Sequence, residues 1–280
     1  MNKIFTEYNR VGDDFFYHHT KTEASDEPYV IGPEVHTSYE ALYLIDGELS
    51  YVIEGQTYEV GRGALILVSP NAIHTLKISA GRDYERAVIL FDVKIMQRLF
   101  SELDVEMTRV FTEGRLPVRI ISAEAVKKYG FDKAVLSIIC EDKSSEYKKL
   151  RMISGLIEFL IALDKLVKNG GASLMAPSSS DQLIRKVIEF IDTHMSEEIT
   201  LDRLAGELFV SKSTLCHRFS AYMNLTINRY VAIKKIHLAN ELIRSGKSVE
   251  AAAIAVGYEN YTSFYYNFKK IMKKSPAECR

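Results

Sequence analysis

The sequence lacks the marks of a secreted or membrane-spanning protein. Its three cysteines show no C-x-x-C spacing, so they predict neither a disulfide framework nor a zinc site. The longest apolar stretch, residues 152–167, contains two acidic side chains and is too short to span a bilayer. Polar residues follow Phe5 at once, which is not typical of a secretory leader. These absences lead us to expect a protein of the reducing cytoplasm that does not enter a membrane.

The sequence also has almost no net charge. It contains 36 Lys and Arg against 37 Asp and Glu, for a net charge of −1. This balance conceals an asymmetry, because residues 181–280 hold 15 Lys and Arg against 11 Asp and Glu and the remainder is net acidic. Only the carboxy-terminal third is therefore suited to a polyanion, with a solvated surface as the alternative. The length of 280 residues favours two domains.

One local pattern occurs twice in the last hundred residues. Each copy predicts a short helix with a small residue at its midpoint, a turn of three or four residues, and an amphipathic second helix. The midpoint residues are Ala205 and Ala253, 48 positions apart. The apolar pairs of the second helices are Leu215 with Phe219 and Phe264 with Phe268. Because two helices cross steeply only where the contact residue is small, the repeat predicts two helix-turn-helix units.

Residues 1–92 predict a β domain. Short apolar runs are punctuated by glycine, proline or asparagine at regular spacing, which is typical of an all-β sandwich or barrel. The predicted strands are Tyr39–Ile45, Leu49–Ile53, Thr57–Val60, Ala64–Val68, His74–Ile78 and Tyr84–Phe91. Ahead of them, the aromatic run Phe15-Phe16-Tyr17-His18-His19 predicts either a further strand or an arm.

Residues 93–168 change to a helical period. Ile95, Leu99 and Val105 mark one predicted helix, and Ala125 to Cys140 mark a second. A third has an a/d-like seam formed by Leu150, Ile153, Ile157, Leu160, Asp164 and Val167. Such a helix either packs on the β domain or pairs with its twin, and we expect residues 93–168 to be a helical dimerisation region. Residues 169–180 are rich in Gly, Ser and Pro and predict a flexible linker.

The last hundred residues resemble a known DNA-binding domain. A leading helix ends near His194, and a helix from about Ile227 to Ile243 joins the two units. The characteristic motifs are Leu204-Ala205, Val210-Ser211-Lys212, Gly257-Tyr258, Phe268-Lys269-Lys270 and Ser275-Pro276. With these motifs, residues 181–280 are similar to the double helix-turn-helix domain of AraC/XylS-family regulators. The strand order in residues 1–92 resembles the cupin-type jelly roll that senses effectors in many members of that family.

The resemblance implies both a fold and a function. The expected fold is an α+β multidomain protein, with an N-terminal cupin-like β jelly roll, following helices, and a C-terminal all-α double helix-turn-helix. The expected function is sequence-specific regulation of transcription by a homodimer that binds double-stranded DNA, a small-molecule effector such as a sugar, and RNA polymerase. No catalytic residue, cofactor or metal is expected. Two alternatives remain: a metal-binding cupin enzyme fused to a DNA-binding module, and a terminal domain that binds another protein.

The second helix of each unit is expected to read DNA. Such a helix enters the major groove by its amino-terminal turns, which here start near Lys212 and Tyr261. Matching the family's positions predicts base contacts at Ser213, Thr214, His217, Tyr261, Thr262, Tyr265 and Tyr266. It predicts phosphate contacts at Lys212, Arg218, Lys235, Lys269 and Lys270. The family usually has arginine where this chain has Tyr266, and often where it has His217, so we expect apolar and shape readout more than bidentate guanine recognition.

Four polar residues of the β domain are candidates for an effector pocket. Glu34, His36, Glu40 and His74 correspond to metal ligands or their neighbours in enzymatic cupins. On a single strand, residues 34, 36 and 40 would share one face. Two imidazoles and a carboxylate also suit a transition metal, so a metal site and a purely structural cluster stay as alternatives.

Two substitutions fall at helix ends where the family commonly has glycine. Asn224 follows the first reading helix, and asparagine is the next-best residue for a left-handed cap. Lys274 follows the second, where a left-handed backbone would cost on the order of 1 kcal/mol.

Overall fold

The structure is a computed structural model that describes residues 3–12, 15–100, 119–138, 147–169 and 175–279. Within these ranges the chain forms two compact units, one built mainly from the chain up to Ser179 and the other mainly from the chain after it. None of the helices in the described ranges combines the length and apolar character that crossing a bilayer requires.

The first unit contains two β-sheets. Its strands are β1 Lys3–Val11, β2 Phe15–Thr22, β3 Tyr29–Glu34, β4 Tyr39–Asp46, β5 Glu48–Ile53, β6 Gln56–Gly61, β7 Leu65–Val68, β8 His74–Ile78, β9 Tyr84–Phe91, β10 Arg119–Ile121 and β11 Ser179–Ser180. One sheet has the order β1-β2-β9-β4-β7-β10, and the other has the order β11-β6-β5-β8-β3. The two sheets form a jelly-roll-like sandwich, as the resemblance implied.

The six predicted strands of this unit are confirmed to within one or two residues at each end. The aromatic run at Phe15 is an ordinary strand and not an arm, because β2 pairs antiparallel with both β1 and β9. The expectation that residues 34–40 lie on one strand is wrong. The chain leaves β3 at Glu34 and enters β4 at Tyr39, so the two ends of that segment belong to different sheets.

Alternation along β4 explains why this unit has two cores. Leu42 and Leu44 point into the core between the sheets, whereas Ala41 points to the other face of its sheet. That outer face is covered by helices α1 Val93–Phe100, α2 Ala123–Tyr129, α3 Phe131–Ile138 and α4 Lys148–Lys168. Val105 and Cys140, which the sequence placed in helices, lie outside the described residues.

Aromatic rings and one glycine fix α4 against its neighbours. The ring of Phe159 lies 5.3 Å from that of Phe131 and 6.2 Å from that of Phe91, both edge-on. A Cβ at Gly155 would collide with the side chain of Ile138, so α4 approaches α3 closely at this glycine. These contacts position the helical layer on the outer sheet face.

The a/d-like seam predicted for α4 is not the face that packs on the sheet. The buried face of α4 consists of Met152, Gly155, Leu156, Phe159, Leu160, Ala162, Leu163 and Leu166. Only Leu160 of the seam is buried, and Leu150 is 62% exposed. Ile153 and Ile157 are half-buried. Leu160 and Ile157 contact the core of this unit, but the seam as a whole is not the packed face, and its pairing with a twin helix stays a prediction.

The second unit is helical. Its helices are α5 Gln182–Thr193, α6 Leu201–Glu207, α7 Lys212–Met223, α8 Ile227–Arg244, α9 Val249–Ala255 and α10 Tyr261–Met272, followed by a 3-10 turn at Pro276–Cys279. Each α-helix begins after a side chain that accepts a hydrogen bond from a first-turn amide. These N-cap residues are Asp181, Thr200, Ser211, Thr226, Ser248 and Asn260. The helix starts are thus fixed locally by residue type.

The two predicted repeats are confirmed. Ala205 and Ala253 are buried at the midpoints of α6 and α9, where the second helix of each unit packs. The four apolar residues of the reading helices are fully buried: Leu215, Phe219, Phe264 and Phe268. The joining helix α8 buries Tyr230, whose ring meets that of Phe219 edge-on at 5.4 Å.

Candidate DNA-binding surface and sensor pocket

The two reading helices, α7 and α10, present their polar side chains to solvent. Because their apolar residues are buried in the helical core, the opposite faces remain available. The seven residues predicted to contact bases are all exposed: Ser213, Thr214, His217, Tyr261, Thr262, Tyr265 and Tyr266. Exposure on one face of an N-capped helix is what major-groove reading requires.

The face of α10 is aromatic. Tyr261, Tyr265 and Tyr266 are 46%, 39% and 64% exposed, and the first two rings lie 6.3 Å apart. The Lys270 ammonium lies 5.7 Å from the ring centre of Tyr266. A tyrosine offers one hydroxyl and an apolar ring, so this face suits single hydrogen bonds and thymine methyl groups rather than bidentate guanine contacts.

The face of α7 is smaller and polar. The hydroxyl of Ser211 accepts a hydrogen bond from the Thr214 amide at 3.1 Å and lies 2.8 Å from the Thr214 hydroxyl. Part of the hydrogen-bonding capacity of Thr214 is thus used by the cap. Ser213 and His217 are the neighbouring polar groups on this exposed face.

Four of the five predicted phosphate contacts are exposed cations, and two of these are ion-paired within the protein. Lys269 and Lys270 are exposed in the last turn of α10. The Lys212 ammonium lies 2.7 Å from Asp202. Arg218 donates to both carboxylate oxygens of Asp181 at 2.8 and 2.7 Å. DNA phosphates would have to compete with these two carboxylates.

Asp181 has two roles in this arrangement. It caps α5 by accepting from the amides of Leu183 and Ile184, and it also binds Arg218. Burial acts against its charged form, but these hydrogen bonds and the guanidinium charge outweigh burial and lower the pKa of Asp181. The carboxylate therefore fixes the orientation of the Arg218 side chain, which projects from α7.

The prediction that Lys235 contacts phosphate is wrong. Lys235 is only 6% exposed, and its ammonium donates to the main-chain carbonyl of Glu197 at 2.7 Å. Burial lowers the pKa of this ammonium. The helical period of α8 puts Lys235 on the inward side, where it ties the loop before α6 to α8.

The two predicted left-handed caps have different outcomes. Asn224 ends α7 with φ 52°, as expected. The left-handed residue after α10 is Lys273 (φ 59°) and not Lys274, so the position was wrong by one residue. The Lys273 amide donates back to the Lys269 carbonyl at 3.0 Å, which closes the last turn one residue earlier than the sequence match suggested.

In the sandwich, three of the four predicted pocket residues come together. Glu40 is only 6% exposed. One oxygen of its carboxylate lies 2.9 Å from His36 Nε2, and the other accepts a hydrogen bond from the Tyr51 hydroxyl at 3.1 Å. His74, on β8, is 1% exposed. Ligand atoms of His36, Glu40 and His74 all lie within 4.8 Å of one another. Polar groups from both sheets thus meet inside an otherwise apolar core.

Glu34 is not part of this buried cluster. It is exposed at the end of β3, because the chain turns between β3 and β4. Its charge nevertheless acts on the groups of the cluster, including His36 and Tyr51. Glu34 is therefore an acidic group near the cluster of His36, Glu40 and His74 and not one of its buried members.

Both ring nitrogens of His36 face acceptors. Nδ1 lies 2.7 Å from the Ser38 carbonyl, and Nε2 faces the Glu40 carboxylate. Burial disfavours the charged ring, but the bond and charge of Glu40, the Ser38 carbonyl and the charge of Glu34 together raise the pKa of His36. An imidazolium–carboxylate pair satisfies every one of these atoms.

The same donors fit a divalent transition metal. With its Nδ1 proton on the Ser38 carbonyl, His36 would offer Nε2 to a metal, next to a Glu40 oxygen and a nitrogen of His74. Such a metal would supply Lewis-acid chemistry or an activated water. The donor set thus admits a metal and is also hydrogen-bonded as it stands.

Sequence reasoning missed three residues at this site: Tyr51, Tyr84 and Arg86. Tyr51 and Tyr84 are buried, with their hydroxyls beside Glu40 and Arg86 respectively. Burial is the largest cause of the raised pKa of both phenols. The available signal was alternation, because Tyr84, Arg86 and Val88 occupy successive positions on one face of β9.

Comparison with known proteins agrees with this architecture. A family model described as an AraC-like ligand binding domain matches residues 16–111, and a helix-turn-helix domain model matches residues 204–280. The two matches together cover more than half of the chain. They fall on the sandwich with the start of its helical layer and on the repeat region.

The individual relatives have low sequence identity to this chain, but their alignments cover most of it. The XylDLEGF operon transcriptional activator 1 of Pseudomonas putida is 21% identical over 255 residues, which cover 89% of this chain and 76% of the relative. The Msm operon regulatory protein of Streptococcus mutans is 21% identical over 281 residues, covering 99% and 96%. A crystal structure of an apo ToxT variant from Vibrio cholerae aligns with 96% of this chain and 98% of its own at 13% identity, with a TM-score of 0.43.

The ligand-binding sandwich, the tandem helix-turn-helix units and the matching family models lead to one conclusion. The chain belongs to the AraC/XylS family of transcription regulators, with a ligand-binding domain followed by a helix-turn-helix DNA-binding domain.

Proposed function

We propose that this regulator reads its operator through α7 and α10. The observation that carries the proposal is the exposure, at equivalent places of a repeat, of two N-capped helix faces whose apolar sides are buried. Ser213, Thr214 and His217 would reach base edges in one major-groove segment. The three tyrosines and Thr262 of α10 would do so in the next.

Binding to DNA fragments from upstream of candidate target genes tests this proposal. Fluorescence anisotropy should show sequence-dependent binding with a steep salt dependence, because phosphate contacts release counterions. Binding that is weak, independent of salt and independent of sequence would instead favour a protein-interaction role for the helical unit.

The proposed effector site is the polar cluster inside the sandwich. A small polar molecule could exchange hydrogen bonds with His36, Glu40, His74 and Tyr51, which are otherwise surrounded by apolar side chains. Effector binding would change DNA affinity through linkage, by favouring one arrangement of the regulator over another. No catalytic role is proposed for this cluster.

We also propose that the chain acts as a homodimer in the cytoplasm and contacts RNA polymerase. Two exposed apolar residues of α4 support dimerisation: Leu150, which belongs to the predicted seam, is 62% exposed, and Ile161, which lies outside the seam, is 37% exposed. The acidic residue within the seam, Asp164, already pairs with Lys168 at 2.8 Å. Leu150→Glu should dissociate the dimer in sedimentation analysis, whereas Lys77→Glu, exposed on β8 in the other sheet, should leave it intact.

A further inference from the structure

Arg86 lies on the face of β9 that turns toward the core between the sheets. Its neighbours on the same face, Tyr84 and Val88, belong to that core, and alternation along the strand puts Arg86 with them. An arginine at such a position is unusual, because charged side chains are rarely buried unless they are paired. Arg86 is therefore expected to have a close ion-pair or hydrogen-bond partner.

The Arg86 guanidinium has almost no partners among the described residues. Nη1 donates one long bond, 3.4 Å, to the Tyr84 hydroxyl, and the guanidinium carbon lies 5.7 Å from the centre of that ring. The Nε atom is buried and has no hydrogen-bond partner in the described part of the chain. The salt bridges found among the described residues do not include one to Arg86.

The carboxylates near Arg86 are occupied or remote. Glu40 is bound by His36 and Tyr51, and Glu34 is exposed, so both act on Arg86 only through their charge at a distance. Arg86 is half-buried, and a charge that is partly removed from water without a close partner is costly to the folded state. A protein that keeps such a group is expected to use it, and an arriving anion is the simplest partner.

A second unpartnered polar group lies in the same row of the sheet. The register pairs Thr6 with Thr20, and Thr20 with Arg86, so the three side chains stand side by side on one face. The Thr6 hydroxyl is buried and also has no hydrogen-bond partner among the described residues. Adjacent strands are about 4.8 Å apart, so one small anion above Thr20 lies within reach of both outer residues.

We propose that Arg86, Tyr84 and Thr6 form a carboxylate-binding subsite, so that the effector of this regulator is a small organic acid. The proposal rests on the sandwich being the effector-binding domain. The Nε–Nη2 edge of arginine presents two parallel N–H groups that match the two oxygens of a carboxylate. The Tyr84 and Thr6 hydroxyls would complete the donors around it.

A monoanion fits this site better than a phosphate. Glu40 already accepts from Tyr51 and lies 2.9 Å from His36, which leaves the Arg86 guanidinium without a carboxylate at hydrogen-bond distance among the described residues. A carboxylate brings one negative charge, whereas a phosphate monoester brings between 1.5 and 2 at about neutral pH. The excess charge of a phosphate would remain unpaired beside Glu40.

Thermal unfolding of the full chain in sodium acetate tests the subsite without knowledge of the whole effector. Sodium chloride and sodium phosphate at equal ionic strength are the reference salts. Acetate should raise the Tm of the wild-type protein above its value in chloride by roughly 2–4 °C. The same rise should occur in the control Arg82→Gln, whose side chain is exposed and paired with Glu48.

In Arg86→Gln the acetate effect should disappear. The Tm of this variant in chloride should equal or exceed that of the wild type, because the unpaired charge is gone, whereas a merely structural arginine would lower it. If Arg86→Gln does not fold, Thr6→Val serves instead, and its acetate shift should be reduced. Equal acetate and chloride values in the wild type, an undiminished acetate shift in the folded variants, or a phosphate shift that depends on Arg86 more strongly than the acetate shift does would each overturn the proposal.

DNA binding by the same preparations separates this proposal from the assignment of the sandwich as sensor. Sequence-dependent DNA binding without an acetate effect would remove the organic-acid subsite alone. An acetate effect that is lost in Arg86→Gln would support the subsite even if the DNA fragments tested were not bound.

Discussion

Replacing Lys269 by glutamine should weaken DNA binding by the same factor on every sequence. Lys269 is exposed at the end of α10, beyond the residues expected to reach base edges. Each phosphate contact contributes about 0.9 to the slope of log affinity against log salt. The salt slope of the variant should therefore be smaller by about 0.9. A fourfold rise in salt should then reduce the DNA affinity of the variant by a factor roughly 3.5 times smaller than the factor for the wild type.

The number of exposed cations also predicts the salt slope of the wild-type protein. Four predicted phosphate ligands are exposed, which corresponds to a slope of about 3.6, whereas adding the buried Lys235 would make it about 4.5. Fluorescence anisotropy with an operator duplex and a scrambled duplex over a salt series measures both quantities. Lys165→Gln, an equal change of charge on α4, is the control. An unchanged slope for Lys269→Gln, or an equal decrease in the control, would refute the reasoning.

Three further outcomes are expected. His217→Ala and Tyr266→Ala should alter the preferred sequence in a selection from random duplexes, by about 1–3 kcal/mol at the affected base pair, and a uniform loss on all sequences would contradict their assignment. Gly257→Ala should lower the free energy of unfolding by about 2–4 kcal/mol, because the φ of Gly257 is +71° and a Cβ would lie 2.7 Å from a backbone oxygen. Hydrogen exchange of the amides in α8 and α9 measures this loss. The control Gly246→Ala, with φ +98° in open space, should cost about 1 kcal/mol, and equal losses would show that the clash is unimportant. Purified protein should contain little Fe, Mn or Zn by elemental analysis, and near-stoichiometric metal that is lost in His36→Ala would establish the alternative metal centre.

The reading helices illustrate what local sequence can specify. Ser211 and Asn260 cap them, and apolar residues four apart bury one side of each helix. Capping and helical period involve residues within one or two turns of each other, so they can be recognised without knowing the rest of the fold. The exposure of the opposite faces follows directly.

Lys235 and Lys269 show the limit of the same reasoning. Both are lysines in helices that match the family's pattern, yet one donates to a carbonyl 38 residues away and the other is exposed. Whether a cation can meet DNA depends on which distant segment packs over it. Arg218, bound to a carboxylate 37 residues away, makes the same point.

The sequence by itself determined six strands of the sandwich, the tandem repeat and the exposed faces of the reading helices, because each follows from periodicity and capping among neighbours. Only the tertiary structure decided that Tyr51 and Arg86 lie with the polar cluster proposed as the effector site, that Glu34 stays outside it, and that Lys235 is buried. Those outcomes depend on how two sheets, or a helix and a loop far apart in the chain, come together, and burial and pairing are set by that approach rather than by any local pattern.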